Sequence, residues 1–131
     1  MIKDKMIYFL VFVIILLGYL NYFSTYVMPW QKEEAIKSAL LWGGLKEIPK
    51  NAKIINLEKH GSSFTKQFII EFTSSKSELE QWIRKSKRLK NNIPKIQLNI
   101  RTYEIHPGEI NSYGGRVKIK QDTVSINMSW S

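Results

Sequence analysis

The sequence predicts an α+β protein, in which an N-terminal transmembrane helix leads into a small domain with two helices packed on one face of an antiparallel sheet. A charge-free apolar run from residue 6 to 31 predicts the membrane helix. Short segments of alternating apolar and polar residues, separated by two stretches with helical spacing, predict the domain. We therefore expect a cytoplasmic tail (residues 1–5), a signal-anchor helix (6–28) and one extracytoplasmic domain (31–131).

The apolar run is long enough for a membrane helix. At about 1.5 Å per residue, residues 6–28 would extend roughly 34 Å, against a hydrocarbon core of about 30 Å. Lys3 and Lys5 precede the run, and positive charge beside a first helix favours a cytoplasmic N-terminus. A cleaved signal peptide is the alternative. No pair of small residues typical of a cleavage site follows Leu20, so the anchor is favoured and cleavage stays open.

Two helices are predicted in the domain. Gln31–Trp42 carries Glu33 and Glu34 in its first turn, where the helix dipole favours negative charge, and two glycines follow it. The second helix begins after Ser75, with a glutamate three residues later as in a capping box. Its apolar residues recur at helical spacing up to Leu89, so one continuous helix over residues 76–90 is expected.

The strands are predicted from alternation and from turn residues. Two of them precede the second helix and form a hairpin, and three follow it, which gives the order helix, strand, strand, helix and three strands. The predicted strands are Lys53–His60, Phe64–Thr73, a strand with alternating Ile96, Leu98 and Ile100, a strand through Val117 and Ile119, and Val124–Trp130.

The domain is basic, since residues 31–131 hold 18 Lys and Arg against 10 Asp and Glu. Such a charge favours anionic partners, and we expect a protein partner in the cell envelope, with an anionic lipid or polymer as a further possibility and nucleic acid as the least favoured. The alternative is that the charge serves solubility alone. The chain has no cysteine, which excludes disulfides and thiolate chemistry.

Five cations in seven residues form the predicted contact surface. They are expected on the solvent side of the second helix, where they could contact an anionic partner or simply be solvated. Charge reversal at Arg84 and Arg88 is then expected to weaken partner association without unfolding the domain. The five residues are Arg84, Lys85, Lys87, Arg88 and Lys90.

The sequence predicts no catalytic, cofactor-binding or metal-binding residues. His60 and His106 are the only histidines, and they are far apart in the chain, with no spacing typical of a metal site. A general base formed by His106 with Glu104 or Glu109 stays a minor hypothesis, because no nucleophile motif accompanies it. Three tryptophans could stack on a ligand: Trp42, Trp82 and Trp130. Packing in the core is the favoured interpretation for Trp82 and Trp130, which lie on predicted core faces, whereas Trp42, beside two glycines, is less decided.

The functional expectation is a membrane-anchored, non-enzymatic interaction or accessory protein of a bacterial envelope, held in the cytoplasmic membrane by one span. The alternative is a small immunity or inhibitor protein, held at the membrane, that neutralises an acidic toxin or enzyme. Small size, positive charge and the lack of a catalytic motif fit both. A hydrolase that uses His106 is the third hypothesis.

Overall fold

The computed structural model describes residues 2–22, 25–61 and 64–130, and it confirms the α+β class. Within these ranges, one apolar helix precedes a domain that contains one sheet and three further helices. The helices are α1 (Ile2–Tyr22), a 3-10 turn (Pro29–Gln31), α2 (Lys32–Gly43), α3 (Lys76–Lys85) and α4 (Lys87–Lys90). The strands are β1 (Lys53–Gly61), β2 (Lys66–Thr73), β3 (Lys95–Gln97), β4 (Ile100–Ile105), β5 (Gly114–Lys120) and β6 (Thr123–Trp130).

All neighbouring strands of the sheet are antiparallel, in the order β1-β2-β6-β5-β4-β3. The chain makes the β1–β2 hairpin and then crosses the sheet through α3 and α4 to the far edge. The remaining four strands return as a meander, so that β6 pairs with β2. The last strand of the chain therefore lies inside the sheet, between two neighbours that are far apart in sequence.

The register between the strands collects the apolar side chains on one face. Ile70 of β2 lies opposite Ile126 of β6, which lies opposite Val117 of β5, and all three are fully buried. The row beside it pairs Phe72 with Val124 in the same way. Because side chains alternate between the faces of a strand, this register gives one continuous apolar surface.

The helices cover that apolar surface. Ala39 of α2 and Leu79 of α3 belong to the same buried cluster as the sheet residues, so both predicted helices pack on one face, as expected. Trp82 of α3 meets Phe72 edge to face, with 5.5 Å between ring centroids. Helix α3 begins as predicted, because the hydroxyl of Ser75 accepts a hydrogen bond from the backbone N–H of Glu78.

The opposite face of the sheet carries polar side chains. The amide of Gln67 donates to Asn127 across β2 and β6, over a distance of 2.7 Å. Arg116 and Lys118 of β5 alternate with the buried residues of that strand and are exposed. The sheet thus has one dry and one polar face, which is common in antiparallel sheets.

The predicted strand through Ile96, Leu98 and Ile100 is wrong in its boundaries. Leu98 and Asn99 both have positive φ, 52° and 64°, and form a two-residue turn between β3 and β4. The apolar alternation runs straight through this turn, so periodicity alone could not reveal it. Ile96 and Leu98 are 69% and 85% exposed, and the expected burial of that strand is also wrong.

The prediction of a membrane-spanning helix over residues 6–28 is not supported. Within the described ranges, no helix is both long enough and apolar enough to cross a membrane. Helix α1 ends at Tyr22, and Met28 has extended backbone. The charge-free part of α1 thus covers residues 6–22, roughly 26 Å at about 1.5 Å per residue, instead of the expected 34 Å. The predicted span also includes residues 23 and 24, which lie outside the described residues.

We expect the Leu79→Ala substitution to destabilise the domain by about 2–5 kcal/mol, because it removes a side chain that is 1% exposed between α3 and the sheet. Urea unfolding followed by circular dichroism measures this change. Leu41→Ala is the matched control, since Leu41 is 48% exposed and its truncation leaves the core intact. Equal losses in the two variants would contradict the packing of α3.

Candidate functional site

The predicted basic segment is divided between two helices. Helix α3 ends at Lys85, and Ser86 has extended backbone (φ −84°, ψ 114°) before α4 begins. Ser86 is fully buried, and its hydroxyl accepts a hydrogen bond of 3.0 Å from the backbone N–H of Lys46. The expected continuous helix over residues 76–90 is therefore wrong, because it is interrupted at Ser86, a buried residue that is hydrogen-bonded to a distant loop.

Arg88 is part of the fold. Its guanidinium donates to Oε1 of Glu109 at 3.2 Å and to the backbone carbonyl of Pro107 at 2.7 Å. A Cβ on Gly44 would collide with the Arg88 side chain, so the end of α2 packs directly on it. Arg88 thus connects α4 with α2 and with the loop between β4 and β5. Charge reversal at Arg88 would test stability as well as binding, contrary to the expectation that it leaves the fold intact.

Glu109 is held in its charged form by this contact. The hydrogen bond from Arg88 and the charge of Lys87 lower the pKa of the Glu109 carboxyl below its usual value of 4.5. Nζ of Lys87 lies 3.6 Å from Oε1 of Glu109, but the Lys87 side chain is 73% exposed. The same carboxylate therefore neutralises part of the positive charge that the sequence assigned to the surface.

The other cations of the segment are exposed around the junction of α3 and α4. Arg84 donates through Nε–H to the backbone carbonyl of Glu80 at 3.3 Å, within its own helix. Lys46 is also exposed and its backbone contacts Ser86, so the fold adds a cation that sequence spacing could not identify. These residues form the basic surface: Lys46, Arg84, Lys85, Lys87 and Lys90.

The basic surface can attract an acidic partner by long-range charge. Its lysines are exposed side chains on flexible stems, so each contact with an anion contributes little by itself and weakens in salt. The arrangement suits recognition of distributed negative charge, as on an acidic protein face or a polymer. Recognition of this kind does not need a pocket that buries one small anion.

The hypothetical general base is not assembled. His106 donates through Nδ1–H to the backbone carbonyl of Tyr113 at 2.9 Å, and its ring lies 4.5 Å from the Tyr113 ring. Glu104 faces Arg116, with 3.4 Å between Oε1 and Nε, and Glu109 faces Arg88. Each member of the predicted pair thus has another partner. His60 lies near Glu58 at the end of β1, with 3.1 Å between Nε2 and Oε2.

The three tryptophans of the hypothetical stacking set have separate roles. Trp42 stacks on Phe68 with 5.5 Å between centroids, and Trp82 is buried with its indole N–H donating to the Lys46 carbonyl at 2.8 Å. Trp130 ends β6 and is 41% exposed. Packing in the core, the interpretation favoured for Trp82 and Trp130, describes Trp82 but not Trp130. Trp42, which the sequence left undecided, is partly buried against the core.

A shallow depression of about 510 Å³ lies beside the first turn of α3, whereas the basic surface lies around the C-terminal end of that helix. Its lining includes Lys76, Glu80, Arg101 and Asp122. Arg101 is already paired with Glu80 at 2.9 Å, so the depression offers few uncommitted charges to a ligand. In the described parts of the chain, no three potential metal ligands among His, Asp and Glu converge.

Comparisons with known protein families, with curated proteins and with solved structures found no match to this chain.

We expect Glu109→Gln to lower the stability of the domain near neutral pH and to change its response to acid. Because the folded pKa of Glu109 is depressed, its charged form contributes stability above pH 4.5 and loses it as the pH falls through the folded value. The difference between wild type and variant should therefore shrink below pH 4.5. Urea midpoints measured from about pH 6 to about pH 3 check this.

Glu47→Gln provides the control, since Glu47 is exposed and the substitution removes the same charge from the surface. Parallel stability curves for wild type and Glu109→Gln across this range would show that the contact with Arg88 does not hold the carboxylate.

Proposed function

We propose that this chain is a non-enzymatic interaction protein that helix α1 holds at a bacterial membrane and whose basic surface contacts an acidic partner in the envelope. The observation that carries the proposal is the uncovered apolar surface of α1. The rest of the chain has a core of its own, so α1 is left to associate with something other than the domain.

Apolar side chains are exposed all around α1. Residues 6–12 are seven successive positions, each at least 47% exposed, and at about 100° per residue they cover every side of the helix. A helix that is apolar on all sides is normally buried in protein or lipid. Each large apolar side chain gains roughly 1.5–3 kcal/mol when it leaves water. This pattern supports association with a bilayer, with Lys3 and Lys5 at the headgroups.

The proposal places α1 at the membrane without assigning the domain to one side of it. The predicted orientation, with a cytoplasmic N-terminus and the domain outside, required a helix that crosses the bilayer, and no helix in the described ranges is long and apolar enough to do so.

The basic surface supports an acidic partner. Four of the five cations predicted from the sequence are exposed there, and Lys46 joins them. The excess of Lys and Arg over Asp and Glu in residues 31–131 adds long-range attraction for the same class of partner. Absence of an enzymatic role is proposed because the histidine and carboxylates considered for catalysis are engaged in contacts within the fold. The inhibitor alternative needs the same acidic target and stays a prediction.

We expect the wild-type protein, expressed in bacteria, to float with membrane vesicles in a density gradient after an alkaline wash. The variant with Ile14→Lys and Leu17→Lys should remain at the bottom, because it puts two charges on the apolar surface of α1. Leu41→Lys, on the exposed side of α2, is the matched control and should float. Wild type that stays in the soluble fraction after mild lysis would contradict membrane association.

We expect a photoreactive amino acid placed at Lys85 or Lys90 to give a covalent adduct with a partner when the protein is expressed in intact cells of the species that encodes it. The same group at Lys120, on the polar face of the sheet, is the control and should give none. The change Lys46→Glu with Arg84→Glu should remove the adduct, since it reverses charge on the basic surface but spares Arg88. Equal adducts at Lys85 and Lys120, or no loss on charge reversal, would contradict the proposed contact.

A further inference from the structure

The chain that leaves α1 is fixed to the edge of the sheet. The backbone carbonyl of Thr25 accepts a hydrogen bond of 2.9 Å from the N–H of Lys59 in β1, and Tyr26 forms a β-bridge with Glu58. Val27 and Met28 follow and are 7% and 5% exposed. The segment between α1 and α2 is therefore part of the domain and not a free linker.

Covalent geometry then fixes the distance between α1 and this edge. Tyr22 is the last residue of α1 and Thr25 is already bound to β1, so three peptide units separate them. At 3.8 Å between successive Cα atoms, the two residues lie within about 11 Å of each other. Any bilayer that receives α1 must lie close to this end of the sheet.

The loops at this end of the sheet carry exposed apolar side chains. Phe64 lies in the β1–β2 connection and is 84% exposed, and Trp130 ends β6 opposite Lys66, the first residue of β2. Ile110 and Tyr113 lie in the β4–β5 loop, which emerges at the same end because Gly114 pairs with Ser129. Together with two residues of the exit segment these side chains form the apolar rim: Tyr26, Trp30, Phe64, Ile110, Tyr113 and Trp130.

The backbone at Ile110 supports a role for its exposed side chain. Ile110 has φ 55° and Asn111 has φ 59°, so two successive residues are in the left-handed region. A β-branched residue is disfavoured there, and such strain is concentrated at functional sites. The turn nevertheless presents an isoleucine that is 65% exposed, where asparagine or glycine would fit the backbone better and would not place an apolar side chain in water.

The chemistry of the rim suits the headgroup layer of a bilayer. Trp and Tyr prefer this layer because one part of the ring is apolar and the other forms hydrogen bonds. Charges of both signs lie beside the rim, with Lys32 and Lys66 exposed together with Glu33 and Glu34. Apolar and aromatic side chains therefore dominate the rim itself, and the basic surface borders the rim where Lys87 and Arg88 contact Glu109 in the β4–β5 loop.

We propose that the apolar rim rests in the headgroup layer of the bilayer that holds α1, so that the domain contacts the membrane at a second, separate surface. This inference rests on the proposed membrane association of α1. The two contacts together restrict the rotation of the domain about α1 and hold the sheet with its β1–β2 and β4–β5 loops toward the lipid. The loop between β3 and β4 then points away from it.

The absence of cysteine allows a direct test with the full chain in phosphatidylcholine vesicles. Single cysteines replace Ile14 in α1, Phe64 or Ile110 in the rim, or Leu98, and each carries an environment-sensitive fluorophore. Leu98 is the control for the rim because it is 85% exposed at the opposite end of the sheet. Lipids with a nitroxide near the headgroup, and others with a nitroxide deep in the acyl chain, serve as quenchers.

We expect the shallow quencher to remove most of the emission at Phe64→Cys and Ile110→Cys. Emission at Leu98→Cys should be unaffected. The deep quencher should reduce the emission at Ile14→Cys. Quenching at Ile14→Cys with none at the two rim positions would overturn the inference and leave the membrane association of α1 intact. Equal quenching at Leu98→Cys would overturn the orientation. Rim labels protected from aqueous iodide but not reached by lipid quenchers would indicate a protein contact and also overturn the inference.

If neither lipid quencher has an effect at Ile14→Cys, the proposed membrane association fails, and the second contact fails with it. Adding anionic lipid to the vesicles distinguishes lipid contact through the rim from attraction by the charges of the basic surface. Quenching at Phe64→Cys should not increase, because both signs of charge lie beside the rim. An increase that salt abolishes would mean that charge and not the apolar side chains brings this end to the lipid, and it would overturn the assignment of the rim.

Discussion

The pairing of β2 with β6 is the constraint on which the rest of the domain depends. Eight residues of each strand are in register, from Lys66 opposite Trp130 to Thr73 opposite Thr123. A shift of β2 by one residue relative to β6 would turn Ile70 and Phe72 toward solvent and would break the continuous dry surface beneath the helices. The pairing also joins the N-terminal hairpin to the C-terminal meander. Without it the domain would be two small sheets, neither able to bury a core.

The contacts of Arg88 show how the sheet and its loops fix the position of the candidate site. Helix α4 has only four residues and is held by the buried Leu89 and by the bonds from Arg88 to Glu109 and Pro107. Arg88 therefore stabilises the fold, and the other four cations of the basic segment are exposed on the surface. The same loop that receives Arg88 also presents Ile110 and Tyr113 at the rim. The position of the basic surface and that of the rim are therefore linked through one loop.

The sequence allowed the fold class and most of the strands to be predicted, because their signals are local. Alternation in Val124–Trp130 and the serine cap of α3 are both found in the structure. The features that were missed depend on distant partners. The break at Ser86 follows from a bond to Lys46, and the role of Arg88 follows from a loop about twenty residues away. The turn at Leu98 and Asn99 was missed for a different reason, since leucine is not typical of a backbone with positive φ and the apolar alternation continues through it.

The candidate site was predictable in composition but not in arrangement. Four of the five cations named from the sequence are exposed around the junction between α3 and α4, whereas Arg88 is bonded within the fold and Lys46 was not predicted. Trp130 was assigned to the core from its alternation with Met128, which is correct for its face of the sheet. It is exposed because the neighbouring strands end beside it, and strand ends cannot be located to one residue from alternation.

The attachment of the exit segment to β1 has a mechanical consequence. Tension on α1 is transmitted to the domain through the bond between Thr25 and Lys59 and through the buried side chains of Val27 and Met28. The bond between Thr25 and Lys59 and the bridge between Tyr26 and Glu58 lie at the edge strand, whereas the pairing of β2 with β6 lies in the middle of the sheet. A pulling force would detach the exit segment first and lengthen the tether by several residues before it reached β2 or β6. The exit segment thus forms an extensible connection between α1 and the domain, because it can detach from the edge strand while the middle of the sheet stays paired.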